Sequence, residues 1–261
     1  MDQLLKIAAC QTHIEWEDKR KNMAHAEELI QGLSYTPDMI IFPEMFLTGF
    51  SMRAAEVAEP MEGEMVTWMK RTAKSVNTIL IGSLPIVSEG KYYNRLLTVC
   101  PDGQVIYYDK RHLFRMGEES SFYSGGDKMV LFSHGSWNVK PLICYDLRFP
   151  IWSRNRSLEY NLLLYVANWP AARDDAFVSL LKARAIENQA YVIGVNRVGA
   201  DGNGVAHKGN SVVYDAIGKL MNEPVENKEC VIHVSLSFDK LNQFRTKFPA
   251  YLDGDKFEIL L

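Results

Sequence analysis

An apolar run that ends abruptly at a cysteine constrains this chain more than any other feature. Leu142 and Ile143 lead into Cys144, and a mixed polar segment, Tyr145–Phe149, precedes Pro150. The apolar run predicts a buried strand, and polar residues followed by proline predict a turn into a helix. A strand-to-helix turn of this kind can present a nucleophile. Cys144 is therefore the first candidate catalytic residue.

A cysteine nucleophile needs a partner that takes its proton, because a thiol with an ordinary pKa of about 8.5 is mostly protonated at neutral pH. Glu44 follows the apolar run Ile40–Pro43, and Lys110 comes two residues after the end of the β-like run Val105–Tyr108. Glu44 can act as the base, and Lys110 can favour the thiolate and then the oxyanion. Each residue alone would be read as a core thiol, a loop acid or a surface charge; together they favour catalysis.

Size and charge narrow the class of protein. The chain has 261 residues, of which 47% are hydrophobic and 23% charged, and its formal net charge is −3. This length and composition predict a single α/β domain spanning residues 1–261. The charge gives no reason to expect nucleic-acid binding, and the N-terminal segment is neither a signal peptide nor a membrane span. We expect no membrane partner.

The cysteines and histidines are scattered along the sequence. The other cysteines, Cys10, Cys100 and Cys230, lie far from Cys144 and from one another. This spacing suggests neither a disulfide framework nor a zinc motif, and it fits a reducing cytoplasm. The six histidines form no helical pair of metal-ligand type, so no metal site is predicted.

Strands and helices are predicted to alternate in the first third of the chain, and the pattern then changes. The predicted strands are Leu4–Cys10, Met39–Phe42, Thr78–Val87, Leu96–Cys100, Val105–Tyr108, Val139–Cys144, Asn161–Ala167, Ala190–Val195, Asn210–Tyr214 and Cys230–Val234. The predicted helices are Glu17–Leu33, Glu64–Ser75 and Asp174–Asn188. The irregular stretch Lys110–Lys128 is long enough to suggest a functional loop that roofs the site.

The three segments around Glu44, Lys110 and Cys144 resemble the nitrilase, or carbon–nitrogen hydrolase, superfamily, whose signature is a Glu-Lys-Cys triad in this chain order. The resemblance covers nearly the whole chain. It implies a four-layer α-β-β-α sandwich and a homodimer. It also implies thiol acyl transfer on a small-molecule amide, with no cofactor.

The resemblance implies further site residues. A second glutamate between the lysine and the cysteine matches Glu119, although a one-residue slip would select Glu118. The backbone N–H of Tyr145 is implied to bind the oxyanion. The run Cys-Tyr-Asp-x-Arg-Phe-Pro is typical of omega-amidases, in which its arginine, here Arg148, binds a substrate carboxylate. A structural role, in which Arg148 holds Asp146 or a nearby acid, stays open.

Asn168 and Trp169 follow a predicted strand, where the family has an aromatic pocket wall. They can contact the substrate, or Trp169 can belong to the core. The implied reaction is hydrolysis of a small omega-amide of a dicarboxylate, such as 2-oxoglutaramate. The alternatives are an N-carbamoyl amine or amino-acid hydrolase, a nitrilase, a non-catalytic binding protein and a redox-sensing thiol protein.

Overall fold

The computed structural model describes residues 4–259 and contains two large β-sheets flanked by helices, together with a small two-stranded sheet. The strands are β1 Leu4–Gln11, β2 Met39–Ile41, β3 Ile79–Ser88, β4 Lys91–Val99, β5 Val105–Asp109, β6 Phe132–His134, β7 Trp137–Ile143, β8 Leu162–Ala167, β9 Tyr191–Asn196, β10 Val198–Ala200, β11 Ala206–Lys208, β12 Val212–Tyr214 and β13 Cys230–Ser237. The helices are α1 Lys19–Gln31, α2 Ala54–Val57, α3 Glu64–Val76, α4 Glu119–Phe122, α5 Pro150–Ser153, α6 Asp174–Asn188 and α7 Phe238–Lys247.

The two sheets have similar cores of parallel strands. The first sheet has the order β13-β1-β2-β3-β4-β5, and β1, β2 and β3 run parallel. The second has the order β12-β9-β8-β7-β6, and β7, β8 and β9 run parallel. Parallel strands of one sheet end at the same edge, so residues that follow them lie near one another.

The side chains of β1 show how the layers stack. Ile7 and Ala9 join the apolar core between the two sheets, whereas Ala8 and Cys10 join a separate core with residues of α1 and α3. This division follows from the two-residue period of a strand. On the opposite side α6 packs so closely on β9 that a Cβ added to Gly194 would lie 2.3 Å from Leu181. The predicted four-layer α-β-β-α sandwich is confirmed.

Several element boundaries differ from those predicted. The fourth strand begins at Lys91 instead of Leu96, because it includes the buried polar residues Asn94 and Arg95, which interrupt the apolar pattern. The short strands β6, β10 and β11 were not predicted. Helix α7 was also missed, since only Leu241 and Arg245 are buried in it. No helix within the described residues is long and apolar enough to cross a membrane.

Candidate active site

Three candidate catalytic residues and one predicted substrate-binding residue lie just beyond the ends of four strands. Glu44 is the third residue after β2, Lys110 follows β5, Cys144 follows β7 and Asn168 follows β8. The first two come from one sheet and the others from the second sheet. Both sheets therefore contribute to one site, at the edge where parallel strands end.

The turn at Cys144 has an unusual backbone conformation. Its φ is +40°, a region that few residues other than glycine adopt, and a short 3₁₀ turn over Cys144–Arg148 follows directly. Asp146 stabilises this turn: its buried carboxylate accepts hydrogen bonds from the backbone N–H of Ile143 at 3.1 Å and from the hydroxyl of Tyr108 at 2.8 Å. Asp146, two residues after Cys144, thus holds the turn that presents the candidate nucleophile.

Lys110 lies between two buried carboxylates. Its Nζ is 2.7 Å from Oε1 of Glu44 and 2.9 Å from Oε2 of Glu119, and none of these three side chains is exposed by more than 1%. Asn94 joins both acids, because its Nδ2 donates to Glu44 at 2.7 Å and to Glu119 at 3.2 Å. Charge-assisted hydrogen bonds in a water-poor interior hold all four groups in one arrangement.

This arrangement determines the charge of each group. Burial alone would lower the pKa of Lys110, but the negative charges of Glu119 and Glu44 outweigh burial and raise it. Burial, and next the charge of Glu44, raise the pKa of the Cys144 thiol well above its ordinary value, although Lys110 acts in the opposite direction. Lys110 is therefore a cation and Cys144 a protonated thiol at neutral pH. Attack by Cys144 requires a base, and Glu44, whose charge raises the thiol pKa, lines the same cavity.

The adjacent glutamates Glu118 and Glu119 have different environments. Glu118 is exposed and has a φ of +56°, whereas Glu119 begins α4, is fully buried and accepts a hydrogen bond from the Phe114 N–H at 2.6 Å. Burial raises the pKa of Glu119, and Lys110 opposes this effect. Of the two, Glu119 is the residue that lies against Lys110.

A cavity of about 340 Å³ opens above Cys144. Glu44, Lys110 and Cys144 lie on it, as do all four residues predicted to bind substrate, namely Tyr145, Arg148, Asn168 and Trp169. Phe114, Met116 and Gly117 also line it, so part of the predicted loop Lys110–Lys128 covers the site.

Arg148 does not hold Asp146. The carboxylate of Asp146 accepts from Ile143, Tyr108 and His112, and the Arg148 guanidinium lies 5.0 Å from the ring centroid of Trp169 instead. Within the described part of the chain, Arg148 has no carboxylate at salt-bridge distance. The structure thus disfavours the bracing alternative and leaves a free cation at the cavity.

Asn168 and Trp169 line the cavity and also contact other parts of the protein. The backbone N–H of Asn168 donates to Oε2 of Glu44 at 2.8 Å, and its side-chain amide donates to the Glu44 carbonyl. Trp169 is only 3% exposed and packs on Phe177, yet it forms part of the cavity wall. Asn168 therefore positions Glu44, and Trp169 belongs both to the hydrophobic core and to the cavity wall.

Sequence reasoning missed Asn94 and Arg173. Asn94 contacts both acids of the site, and Arg173 lines the cavity. A polar residue in the middle of an otherwise apolar strand was the available signal for Asn94. No cluster of three or more side chains suited to a metal ion occurs among residues 4–259.

Comparison with known proteins identifies the family. A model of the carbon–nitrogen hydrolase family matches residues 6–246. Omega-amidase YafV of Yersinia enterocolitica is 43% identical over 256 residues, which cover 98% of this chain and 99% of that protein. A 2-oxoglutaramate amidase of Bacillus subtilis is 30% identical over 251 residues, which cover 95% and 96% of the two chains.

A solved structure agrees in fold and in family. XC1258 of Xanthomonas campestris, described as a CN-hydrolase superfamily protein with an arsenic adduct in the active site, superposes with a TM-score of 0.96. It is 40% identical, with coverage of 98% of this chain and 99% of the other. The resemblance inferred from the three motifs is confirmed, and the chain belongs to the carbon–nitrogen hydrolase family, within the nitrilase superfamily.

Proposed function

We propose that this amidohydrolase is an omega-amidase that converts 2-oxoglutaramate, or a similar monoamide of a short dicarboxylate, to the dicarboxylate and ammonia. The observation that carries the proposal is that one cavity is lined by Cys144, by the Glu44–Lys110 ion pair and by Arg148, which has no carboxylate at salt-bridge distance within the described residues. The similarity to proteins called omega-amidase and 2-oxoglutaramate amidase supports the same substrate class.

In the proposed mechanism Glu44 takes the proton of the Cys144 thiol as sulfur attacks the amide carbon. The tetrahedral oxyanion is stabilised by Lys110 and by backbone N–H groups, including that of Tyr145. The carbon–nitrogen bond then breaks, and the leaving nitrogen receives the proton from Glu44 and departs as ammonia. Water, activated by the Glu44 carboxylate, hydrolyses the thioester and restores the thiol.

The proposed part of Glu119 is to position Lys110. It is not among the residues that line the cavity, and its two oxygens are 2.9 and 3.0 Å from Nζ. Two carboxylates around one ammonium keep that ammonium charged, and they restrict its movement toward the thiol.

The decisive assay measures ammonia release over a panel of amides, carbamoyl compounds and nitriles. We expect the highest kcat/KM with 2-oxoglutaramate or succinamate. Carbon dioxide release from carbamoyl compounds would favour a carbamoylase, and consumption of nitriles would favour a nitrilase. Absence of turnover with every compound would favour a binding protein.

Cys144→Ala should reduce turnover to below about one hundredth of wild type, because removing the nucleophile of a covalent mechanism costs several orders of magnitude. Intact-mass spectrometry with a slow substrate should show an acyl adduct on the wild-type enzyme and none on the variant. Cys100→Ala, which removes a half-buried free thiol elsewhere, is the matched control and should keep both turnover and adduct. An adduct on another cysteine would contradict the assignment.

We further propose a cytoplasmic homodimer. The four cysteines are free, which suits a reducing compartment. Ile186 of α6 and the neighbouring Ile217 are exposed by 49% and 58%, so this face carries apolar surface that a second copy can cover. Light scattering should give twice 29.8 kDa for wild type and a lower mass for Ile186→Glu. A wild-type mass near 29.8 kDa would contradict the dimer.

A further inference from the structure

A second arginine, Arg173, lies on the same cavity as Arg148. Its guanidinium is 5.2 Å from the ring centroid of Phe114, much as that of Arg148 is 5.0 Å from Trp169. Within residues 4–259 neither arginine has a carboxylate at salt-bridge distance. Stacking on an aromatic face occupies the plane of a guanidinium and leaves the N–H groups at its edge available for a ligand.

Trp169 connects the two arginines. Its ring faces Arg148, and its indole N–H donates to the backbone carbonyl of Arg173 at 2.7 Å. The Arg173 guanidinium lies over the ring of Phe114, and the centroid of that ring is 5.1 Å from the centroid of the Tyr145 ring. Tyr145 follows Cys144 directly, so Phe114 and Tyr145 relate Arg173 to the nucleophile, and Trp169 relates Arg148 to Arg173.

The acidic residues of the cavity do not neutralise these arginines. Glu44 faces Lys110, and Oδ1 of Asp201 accepts the backbone N–H groups of Asn203 and Val205, each at 2.9 Å. The charge of Lys110 is offset by Glu44 and Glu119. The wall therefore carries two cationic groups whose hydrogen-bond donors are available to an anion.

We infer that Arg173 acts with Arg148 to bind the carboxylate at the far end of the substrate, and that Arg173 is a specificity-determining residue for monoamides of short dicarboxylates. The inference rests on the proposed omega-amidase function and deepens it. Planar guanidiniums match the geometry of a carboxylate, and two of them on one wall define both its charge and its distance from Cys144.

The test compares two substrates that differ only at the far end. Succinamate carries a carboxylate where butanamide carries a methyl group. Arg173→Gln should lower kcat/KM for succinamate by about ten- to a hundredfold, the range expected for one charge-assisted contact, and change that for butanamide by less than about threefold. Arg173→Lys should recover only part of the loss, since an ammonium lacks the planar fork.

Arg71→Gln is the matched control, because it removes one positive charge from the exposed surface of α3 and should leave both substrates unaffected. Arg148→Gln should show the same substrate-dependent loss as Arg173→Gln. A binding measurement that needs no turnover completes the set: succinate should inhibit wild type more strongly than butyrate does, and Arg173→Gln should remove most of that difference.

The outcomes separate the two proposals. If wild type does not prefer succinamate over butanamide, the omega-amidase function itself fails. If wild type has that preference and Arg173→Gln keeps it, or loses activity equally on both substrates, Arg173 merely supports Phe114 and the inference is overturned while the proposed function stands.

Discussion

Two buried lysines of this protein, Lys110 and Lys140, have opposite electrostatic environments. Lys110 is unexposed and Lys140 is 2% exposed. The ammonium of Lys110 lies within 3 Å of two carboxylates, whereas that of Lys140 donates to the Trp152 carbonyl at 2.7 Å and lies 3.9 Å from the sulfur of Met129. Burial lowers the pKa of Lys140 to about 8, but the pKa of Lys110 is raised.

The difference shows that burial alone does not mark a functional lysine. Burial disfavours the charged form at both positions, and only the two carboxylates at Lys110 reverse the effect. Lys110, which lies between two carboxylates, also lines the cavity with Cys144, whereas Lys140 lies within β7. A permanent cation beside a nucleophile can stabilise an oxyanion; a lysine held by a carbonyl contributes to packing and titrates near neutral pH.

The largest expected effect is the loss of activity in Lys110→Met. Deleting a preorganised oxyanion donor costs about a hundred- to a thousandfold in kcat, and Glu44 then loses the cation that keeps it oriented. Steady-state ammonia release measures the loss. Lys140→Met provides the comparison, because it removes an equally buried lysine and should change kcat by less than about threefold. Similar losses in the two variants would show that the Lys110 effect is a folding defect.

Glu119→Gln should have a smaller effect than Glu44→Gln. Losing a general base, the role proposed for Glu44, costs about a hundred- to ten-thousandfold. The role proposed for Glu119 is to position Lys110, so its loss should cost about tenfold. The pH profile separates the two roles. Glu119 raises the pKa of Lys110, so removing it lowers that pKa. The alkaline limb of the kcat profile should therefore move to lower pH in Glu119→Gln.

Asn94→Leu is not a suitable substitute for this test, because Asn94 contacts both acids at once. An unchanged alkaline limb in Glu119→Gln would mean that Glu44 alone sets the charge of Lys110. Glu119 would then be a residue that fixes the loop through the Phe114 N–H.

The strands that carry the site could be predicted from sequence because each is an apolar run that ends at a polar residue. Glu44, Lys110 and Cys144 were found in this way, and the family resemblance supplied the four layers, which periodicity cannot. The family resemblance favoured Glu119 over Glu118, but the local pattern alone could not decide between them, because a φ of +56° at Glu118 decides which side chain turns inward.

The residues that were missed depend on contacts between distant parts of the chain. Asn94 donates a hydrogen bond to Glu44, which is 50 positions earlier in the sequence. It lies in the first half of β4, where polar residues interrupt the apolar pattern that indicates a strand. Arg173 belongs to a short 3₁₀ turn after Pro170, and its relation to Arg148 arises only through Trp169. A local pattern carries no information on such contacts.

The smallest expected effect concerns stability at Lys140. Its pKa is about 8 in the folded protein against an ordinary value of 10.5. Between these values the unfolded chain binds more protons than the folded one, so the free energy of unfolding of wild type gains from this group as pH rises. Lys140→Met lacks that gain. The stability of the variant relative to wild type should therefore fall by about 1–2 kcal/mol from pH 7 to pH 9.5.

Urea denaturation at the two pH values measures this change, and the comparison between variants cancels the titration of buried tyrosines that both proteins share. Lys70→Met, which removes an exposed lysine of α3, is the control and should show no such change. A constant difference between Lys140→Met and wild type across this range would mean that the ammonium of Lys140 stays charged in the folded protein. The two buried lysines would then carry the same charge and differ only in their location in the fold.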